Sequence, residues 1–247
     1  MDRWAGKLAI VTGASAGIGE ATAKALVIAG VNVLGLARGE EKLKKLQNSL
    51  TGCRGSFYYM KCDVRNEKDI LNAFKYADEK LGGVNILINN AGIVKAALFD
   101  ALKTDEIHAV TDINLIAPVI CIREALKSLR KHKREGHIIN INSLAGLNAT
   151  IIDPLPINIY PATKFGLRAI AQNVRAEIAK AKDKIRLTTI YPGAVKTEIN
   201  TSSGVDPTIL NSIMPEVLRS EDIANAVIYA LSAPPHVQIE DLAISGF

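Results

Sequence analysis

Short apolar runs recur along the chain at intervals that leave room for a helix between them. Leu8–Val11, Val33–Leu36, Ile86–Ile88, Ile138–Ile141 and Leu187–Ile190 are each about a strand long, rich in Ile, Val and Leu, and show little polar alternation. Runs of that kind suit strands buried on both faces. Ser56–Met60 is a further β-like run. The segments between them carry helical spacing. The clearest is Leu167, Ile170, Ala171, Val174 and Ile178, which fall on one face of a helix. Alternating strand and helix predicts an α/β chain: a parallel sheet covered on both faces by right-handed crossovers. No linker, repeat or charge block divides the 247 residues, so one domain over 1–247 is expected. Sheets of this kind bind ligands beyond the carboxyl ends of their strands, which directs attention to the residues just after each apolar run.

After the first run comes Thr12-Gly-Ala-Ser-Ala-Gly-Ile-Gly19, leading into the helix-like Glu20–Ile28. Gly13, Gly17 and Gly19 allow a tight turn and a close backbone approach, so N–H groups at the helix start can meet a pyrophosphate. Ser15, Ala16 and Ile18 belong to the same loop. The second run ends at Ala37-Arg38. A ribose with a free 2′-OH wants an acid there, whereas a 2′-phosphate wants an arginine, which can grip it bidentately. Ser15 and Lys42 are further donors for that phosphate. Asp63-Val64 follows the third run. Asp63 reads as an acceptor for an adenine amino group or as a helix N-cap, a role for which Asn66 competes. Asn90-Ala91-Gly92 follows the fourth. Alone, each of these has an ordinary reading as a turn, a cap or a solvated arginine.

The fifth strand runs into Ser143, and Tyr160-Pro-Ala-Thr-Lys164 later opens the amphipathic helix. Tyr160 and Lys164 stand one turn apart on one helical face. An ammonium beside a phenol favours phenolate, and a tyrosine so tuned can give or take a proton. The plainer reading is an interfacial tyrosine with a snorkelling lysine. Asn114 sits inside a helical pattern, where an asparagine competes for backbone hydrogen bonds and suggests a kink or a held water. After the sixth strand, Pro192-Gly193 with Val195 and Thr197 makes a turn whose hydroxyl can reach an amide or a pyrophosphate.

Composition narrows the classes. The apolar share is 48% and the charged share 22%, which excludes a disordered chain. The net charge of +5 raised nucleic acid as a partner, but the basic residues are spread over helix-like segments rather than gathered in a tract. No nucleic-acid role is expected. Three cysteines without metal spacing point to a reducing, cytoplasmic setting and to no metal. No long apolar stretch predicts a membrane span, and the charged opening Met1-Asp-Arg-Trp4 does not read as a secretory signal.

Taken in order, Thr12–Gly19, Asn89–Gly92, Asn114, Ser143, Tyr160-x-x-x-Lys164 and Pro192-Gly193 resemble the short-chain dehydrogenase/reductase family over essentially the whole chain. The resemblance implies a Rossmann-like, doubly wound, seven-stranded, mainly parallel sheet with helices on both faces. It implies a nicotinamide cofactor and a catalytic tetrad of Asn114, Ser143, Tyr160 and Lys164. In that tetrad Asn114 holds a water, Lys164 lowers the tyrosine pKa and grips the ribose, and Ser143 holds the substrate oxygen. Cofactor-binding positions follow as Gly13, Ser15, Ala16, Gly17, Ile18, Gly19, Arg38, Asp63, Val64, Asn90, Ala91, Gly92, Tyr160, Lys164, Pro192, Gly193, Val195 and Thr197. Arg38 resembles the branch that prefers NADP(H). Substrate contacts are expected from Ser143, Leu144, Ala145 and Tyr160.

The ends and centre of the chain look like the family-member-11 reductases and their insect relatives, the NADP-dependent farnesol dehydrogenases; the vertebrate members act on keto-steroids. The expected substrate is therefore a small apolar alcohol or ketone. Farnesol or a related isoprenoid alcohol leads, a keto-steroid or general carbonyl compound is the alternative, and a non-catalytic NADPH-binding scaffold is the remote one. Leu144, Leu147, Ile151, Ile152, Leu155 and Ile157, with a lid over Thr201–Pro215 carrying Val205, Ile209, Leu210, Ile213 and Met214, would line an apolar pocket. The Ser143-to-Tyr160 interval is longer than is usual in the family, and the extra residues border that pocket. The resemblance also implies a homodimer through the helices holding Asn114 and Tyr160, or a homotetramer using a C-terminal strand near Val237–Ser245.

Overall fold

The computed structural model describes residues 1–150, 155–197 and 217–246. Seven strands form one sheet in the order β3-β2-β1-β4-β5-β6-β7, and every neighbouring pair is parallel. They are β1 (Leu8–Thr12), β2 (Asn32–Ala37), β3 (Phe57–Lys61), β4 (Ile86–Asn89), β5 (Gly136–Ile141), β6 (Ile185–Pro192) and β7 (Asp241–Ile244). The central strands are buried from end to end, as their unbroken apolar runs predicted. Their residues still alternate. Ala9 and Val11 of β1 join one core cluster, while Leu8 and Ile10 join the other, so both faces of the strand meet helices.

On one face lie α1 (Gly17–Ile28), α2 (Glu40–Ser49) and α7 (Ser220–Ser232), with Trp4 sealed beneath them. On the other lie α3 (Glu67–Lys80), α5 (Ala117–Lys131) and α6 (Tyr160–Ala181). Leu167, Ala171 and Ile178 of α6 are buried, and Ile170 and Val174 pack against the same cluster, which matches the helical stripe read from the sequence.

Boundaries moved in physically informative ways. Helix α1 begins at Gly17, not Glu20, because the last two loop glycines already form its first turn. Pro192 closes β6 as its last residue, paired to Ile244. The C-terminal strand is shorter than Val237–Ser245, since the Val237 N–H closes a turn onto the Pro234 carbonyl. Asn66 wins the N-cap of α3: its side chain accepts from Lys68 N at 3.1 Å, while Asp63 Oδ1 accepts from Arg65 N in the preceding turn. Asn114 lies in a π-turn, Asp112–Ile116, between α4 (Thr104–Thr111) and α5. The expected kink is thus a local widening of the helix, a feature that often marks functional sites.

Candidate active site

The strand order reverses direction between β1 and β4, and the crevice beyond those strand ends collects the predicted residues. Gly13 and Gly17 adopt left-handed φ of 68° and 56°, which other residues rarely tolerate. A Cβ on Gly19 would overlap the Gly13 carbonyl and the Asn90 amide, so this position tolerates no side chain. Ala16 enters α1 in an extended conformation, and no side chain caps the helix start. The first N–H groups of α1 are left to another acceptor, which suits an anion.

Thr12 and Asn90 brace this loop. Thr12 Oγ1 accepts from Asn90 N and Ala91 N, both at 3.0 Å, and donates to Ile88 O. Asn90 Nδ2 donates to the carbonyls of Thr12 and Gly13. The Asn90 side chain is thus spent on holding the glycine turn, and its expected cofactor role would fall to its backbone. The bracing role of Thr12 was not read from the sequence; a hydroxyl at the end of a buried strand was the available signal. Thr197 returns to the same place from the far side of the sheet, its Cγ2 packing where a Cβ on Gly17 would reach to 3.1 Å. Val195 bridges to Leu218, and Gly193 N donates to Ile244 O at 2.7 Å, so the turn after β6 is pinned to β7.

Arg38 is exposed at the end of β2, and Ser15 lies in the neighbouring loop, half-buried. Val64 lines a narrow cleft with Thr12, Ala91, Ile113 and Cys121. Asp63, the residue before Val64, is held in the turn that leads to Asn66.

At the other half of the crevice stand Ser143, Tyr160 and Lys164. Ser143 leaves β5 extended, its Oγ accepts from Ala145 N at 3.1 Å, and its side chain favours the ionised form of the Tyr160 phenol. Leu144 and Ala145 form the short turn after it, and Leu144 Cδ1 lies beside Gly193. Lys164 is only 5% exposed. Its ammonium lies over the Tyr160 ring, 5.5 Å from the centroid, and donates to Ile141 O at 3.3 Å. It stands above the ring rather than beyond the hydroxyl. Burial pushes the Tyr160 phenol upward, offset in part by the Ser143 hydrogen bond. Burial also pulls Lys164 down to about 8, and no carboxylate among the described residues counters it. The sequence expectation that the ammonium would pull the tyrosine down is therefore outweighed by desolvation.

Asn114 is buried, but it clamps rather than points into the crevice. Its Oδ1 accepts from Ile93 N at 2.9 Å, and its Nδ2 donates to Ile93 O at 2.8 Å and to Thr163 Oγ1 at 3.4 Å. It thereby fixes the chain after Gly92, whose Cβ position lies 3.9 Å from Lys164 Nζ. The water expected of Asn114 would have to use what this clamp leaves free. Asn142, missed in the sequence, donates to Lys164 O at 3.0 Å and steadies the catalytic helix. Ile157 is buried, whereas Ile151, Ile152 and the lid residues of 201–215 lie outside the described residues.

The donor set fits a dinucleotide: an uncapped helix start, a buried ammonium without a carboxylate, and an exposed arginine at the second strand end. Among the described residues, no helix is long and apolar enough to cross a membrane.

Comparison with known proteins bears on this geometry. A family model described as short chain dehydrogenase matches residues 7–207. The farnesol dehydrogenase of Aedes aegypti is 42% identical, over 99% of this chain and 97% of its own. Dehydrogenase/reductase SDR family member 11 of Gallus gallus is 41% identical, over 98% and 96%. Among solved structures, an alcohol dehydrogenase from the archaeon Thermococcus sibiricus, complexed with 5-hydroxy-NADP, superposes with a TM-score of 0.83 at 27% identity, covering 96% of this chain and 95% of that one.

Proposed function

Because the chain belongs to the short-chain dehydrogenase family and is an oxidoreductase of that family, we propose that it interconverts an apolar alcohol and its carbonyl with NADP(H), farnesol or a related isoprenoid alcohol being the substrate. The observation that carries the reading is that Ser143 acts on the Tyr160 phenol while the Lys164 ammonium, buried one turn along, lies over the Tyr160 ring. The bound nicotinamide would supply hydride transfer. Every other requirement falls to the protein.

Tyr160 takes the substrate hydroxyl proton in oxidation and returns it in reduction. Ser143 holds the reacting oxygen and stabilises charge as it develops there. Lys164 carries positive charge to the cofactor and to the phenol. Binding would place ribose hydroxyls and phosphates near a buried ammonium whose partner is a neutral carbonyl, which would raise its pKa again and restore its pull on Tyr160. Gly13, Ser15, Ala16, Gly17, Ile18 and Gly19 would hold the pyrophosphate, aided by Thr197. Arg38 would hold the 2′-phosphate, since the end of β2 presents no carboxylate.

A keto-steroid or carbonyl compound as substrate is kept as a second reading, because the family-member-11 relative, at 41% identity, is within one percentage point of the farnesol dehydrogenase at 42%. Measuring NADP⁺ reduction by farnesol beside NADPH oxidation by a keto-steroid separates the two. Turnover of farnesol with little steroid reduction supports the first reading, and the reverse overturns it. We further infer one NADP-binding domain over 1–247 working in the cytoplasm, supported by three free cysteines, two of them buried. A homo-oligomer through the helices holding Asn114 and Tyr160 is supported by the exposed Ile116 and Phe165 on those elements.

A further inference from the structure

Two loops flank the approach to Tyr160. One follows β4 and spans residues 93–103; the other immediately precedes α6 and is described over residues 155–159. The first carries Leu98 and Phe99, exposed at 67% and 77%, more than any other large hydrophobic among the described residues. Exposed apolar side chains of that size need support to hold any fixed position.

Much of that support comes from Asn158. Asn158 Nδ2 donates to Lys95 O at 2.7 Å, to Ala97 O at 3.2 Å and to Pro156 O at 3.4 Å. Its Oδ1 accepts from Ile159 N at 2.6 Å. The backbone joins in, as Ala97 N donates to Pro156 O at 3.0 Å. Asn158 adopts a left-handed φ of 41°, which asparagine tolerates better than most residues. The same loop is tied to α6 a second time, where Asn114 clamps Ile93 and reaches Thr163. Between the two ties, residues 93–97 have little freedom to shift against the catalytic helix.

We propose that Asn158 is a positioning residue that locks the loop carrying Leu98 and Phe99 to the start of the catalytic helix, making a fixed apolar lip that selects long apolar alcohols over short ones. The proposal rests on the functional reading above. A short substrate reacts at Ser143 and Tyr160 without touching the lip. A long isoprenoid tail gains by lying on it, and loses when the lip moves.

Three variants test this. Asn158→Asp keeps the left-handed conformation and the acceptor for Ile159 N, but removes the donors and sets a carboxylate against three carbonyls. Asn158→Gly keeps only the conformation and adds no charge, and it serves if the aspartate variant does not fold. Phe99→Ser removes part of the lip and leaves the tie intact. The substrates are farnesol and prenol, which carry the same allylic alcohol on long and short tails. For either Asn158 variant the farnesol kcat/KM should fall about tenfold or more, chiefly through KM, and prenol by a much smaller factor. NADPH affinity should stay unchanged, and the Ala97 amide should exchange faster. Phe99→Ser should reproduce the shift in preference while the Ala97 amide stays protected.

An equal loss for both alcohols would mean only that the catalytic helix has been disturbed, and would overturn the proposal. So would an unchanged farnesol-to-prenol ratio. If the unsubstituted protein turns over neither alcohol, the substrate reading fails and the lip's selectivity fails with it. The tie itself is then judged by exchange alone, and unchanged protection of Ala97 in Asn158→Gly overturns it.

Discussion

At the ends of β1 and β4 the crevice is assembled from neutral groups in close contact, whereas at the end of β5 and the start of α6 it is assembled around a buried ammonium. Thr12, Gly13, Asn90 and Ala91 satisfy one another with backbone and side-chain hydrogen bonds, and Gly19 packs against them. Nothing in that cluster carries charge, and its shape depends on absent side chains. Lys164, by contrast, is buried with a carbonyl as its partner and is held near 8 by that burial. The first half is stable as it stands and offers a cradle. The second is strained electrostatically until an acceptor-rich ligand arrives, which is how a site can trade stability for reactivity.

The contrast is broken most severely by Tyr160→Phe. Turnover should fall roughly a thousandfold while NADPH still binds by fluorescence titration, since only a proton carrier is removed. Activity within tenfold of the unsubstituted protein would sink the assignment.

Lys164→Met should sharpen the comparison by acting in opposite directions on activity and stability. In the folded protein burial pulls Lys164 down to about 8, against 10.5 for the ordinary side chain. Below pH 8 the folded state bears the burial of the ammonium. From about 8 to 10.5 the unfolded chain keeps a proton that the folded one has lost, so this group makes stability rise with pH across that window. The methionine variant should lack that rise and gain on the order of 3 kcal/mol at neutral pH in urea unfolding, while losing turnover. A flat profile in the unsubstituted protein would contradict the burial of a charged lysine.

Gly19→Ala attacks the neutral half. Its methyl must displace the Gly13 carbonyl or the Asn90 amide, so stability should drop by about 1–3 kcal/mol and cofactor affinity should fall as well, with little pH dependence. The smallest effect is expected from Arg38→Ala, which touches neither core. It should weaken NADPH about tenfold or more and leave NADH nearly unaffected in parallel titrations. Equal losses for both would remove the 2′-phosphate role.

The site was legible wherever a function is written in local spacing. The glycine loop, the residues after each strand, and the Tyr160–Lys164 pair one turn apart needed only helical and strand periodicity to be placed. Leu167, Ala171 and Ile178 were assigned to the core on the same grounds, and all three are buried. What escaped were partners distant in the chain. Asn114 suggested a kink or a held water and Asn90 a close backbone approach to a ligand; that their amides are bound to Ile93 and to Gly13 is seen only in the fold. Thr12, Asn142 and Asn158 drew no role because their hydrogen bonds reach residues that only the sheet order brings near.

The sequence by itself determined the α/β layering, the crevice at the strand ends and the residue types that meet there, because periodicity and glycine tolerance are properties of short segments. Tertiary structure alone decided the electrostatics and the bracing. Whether Lys164 tunes Tyr160 depends on how deeply both are buried, and burial is set by helices and strands packed from the whole length of the chain.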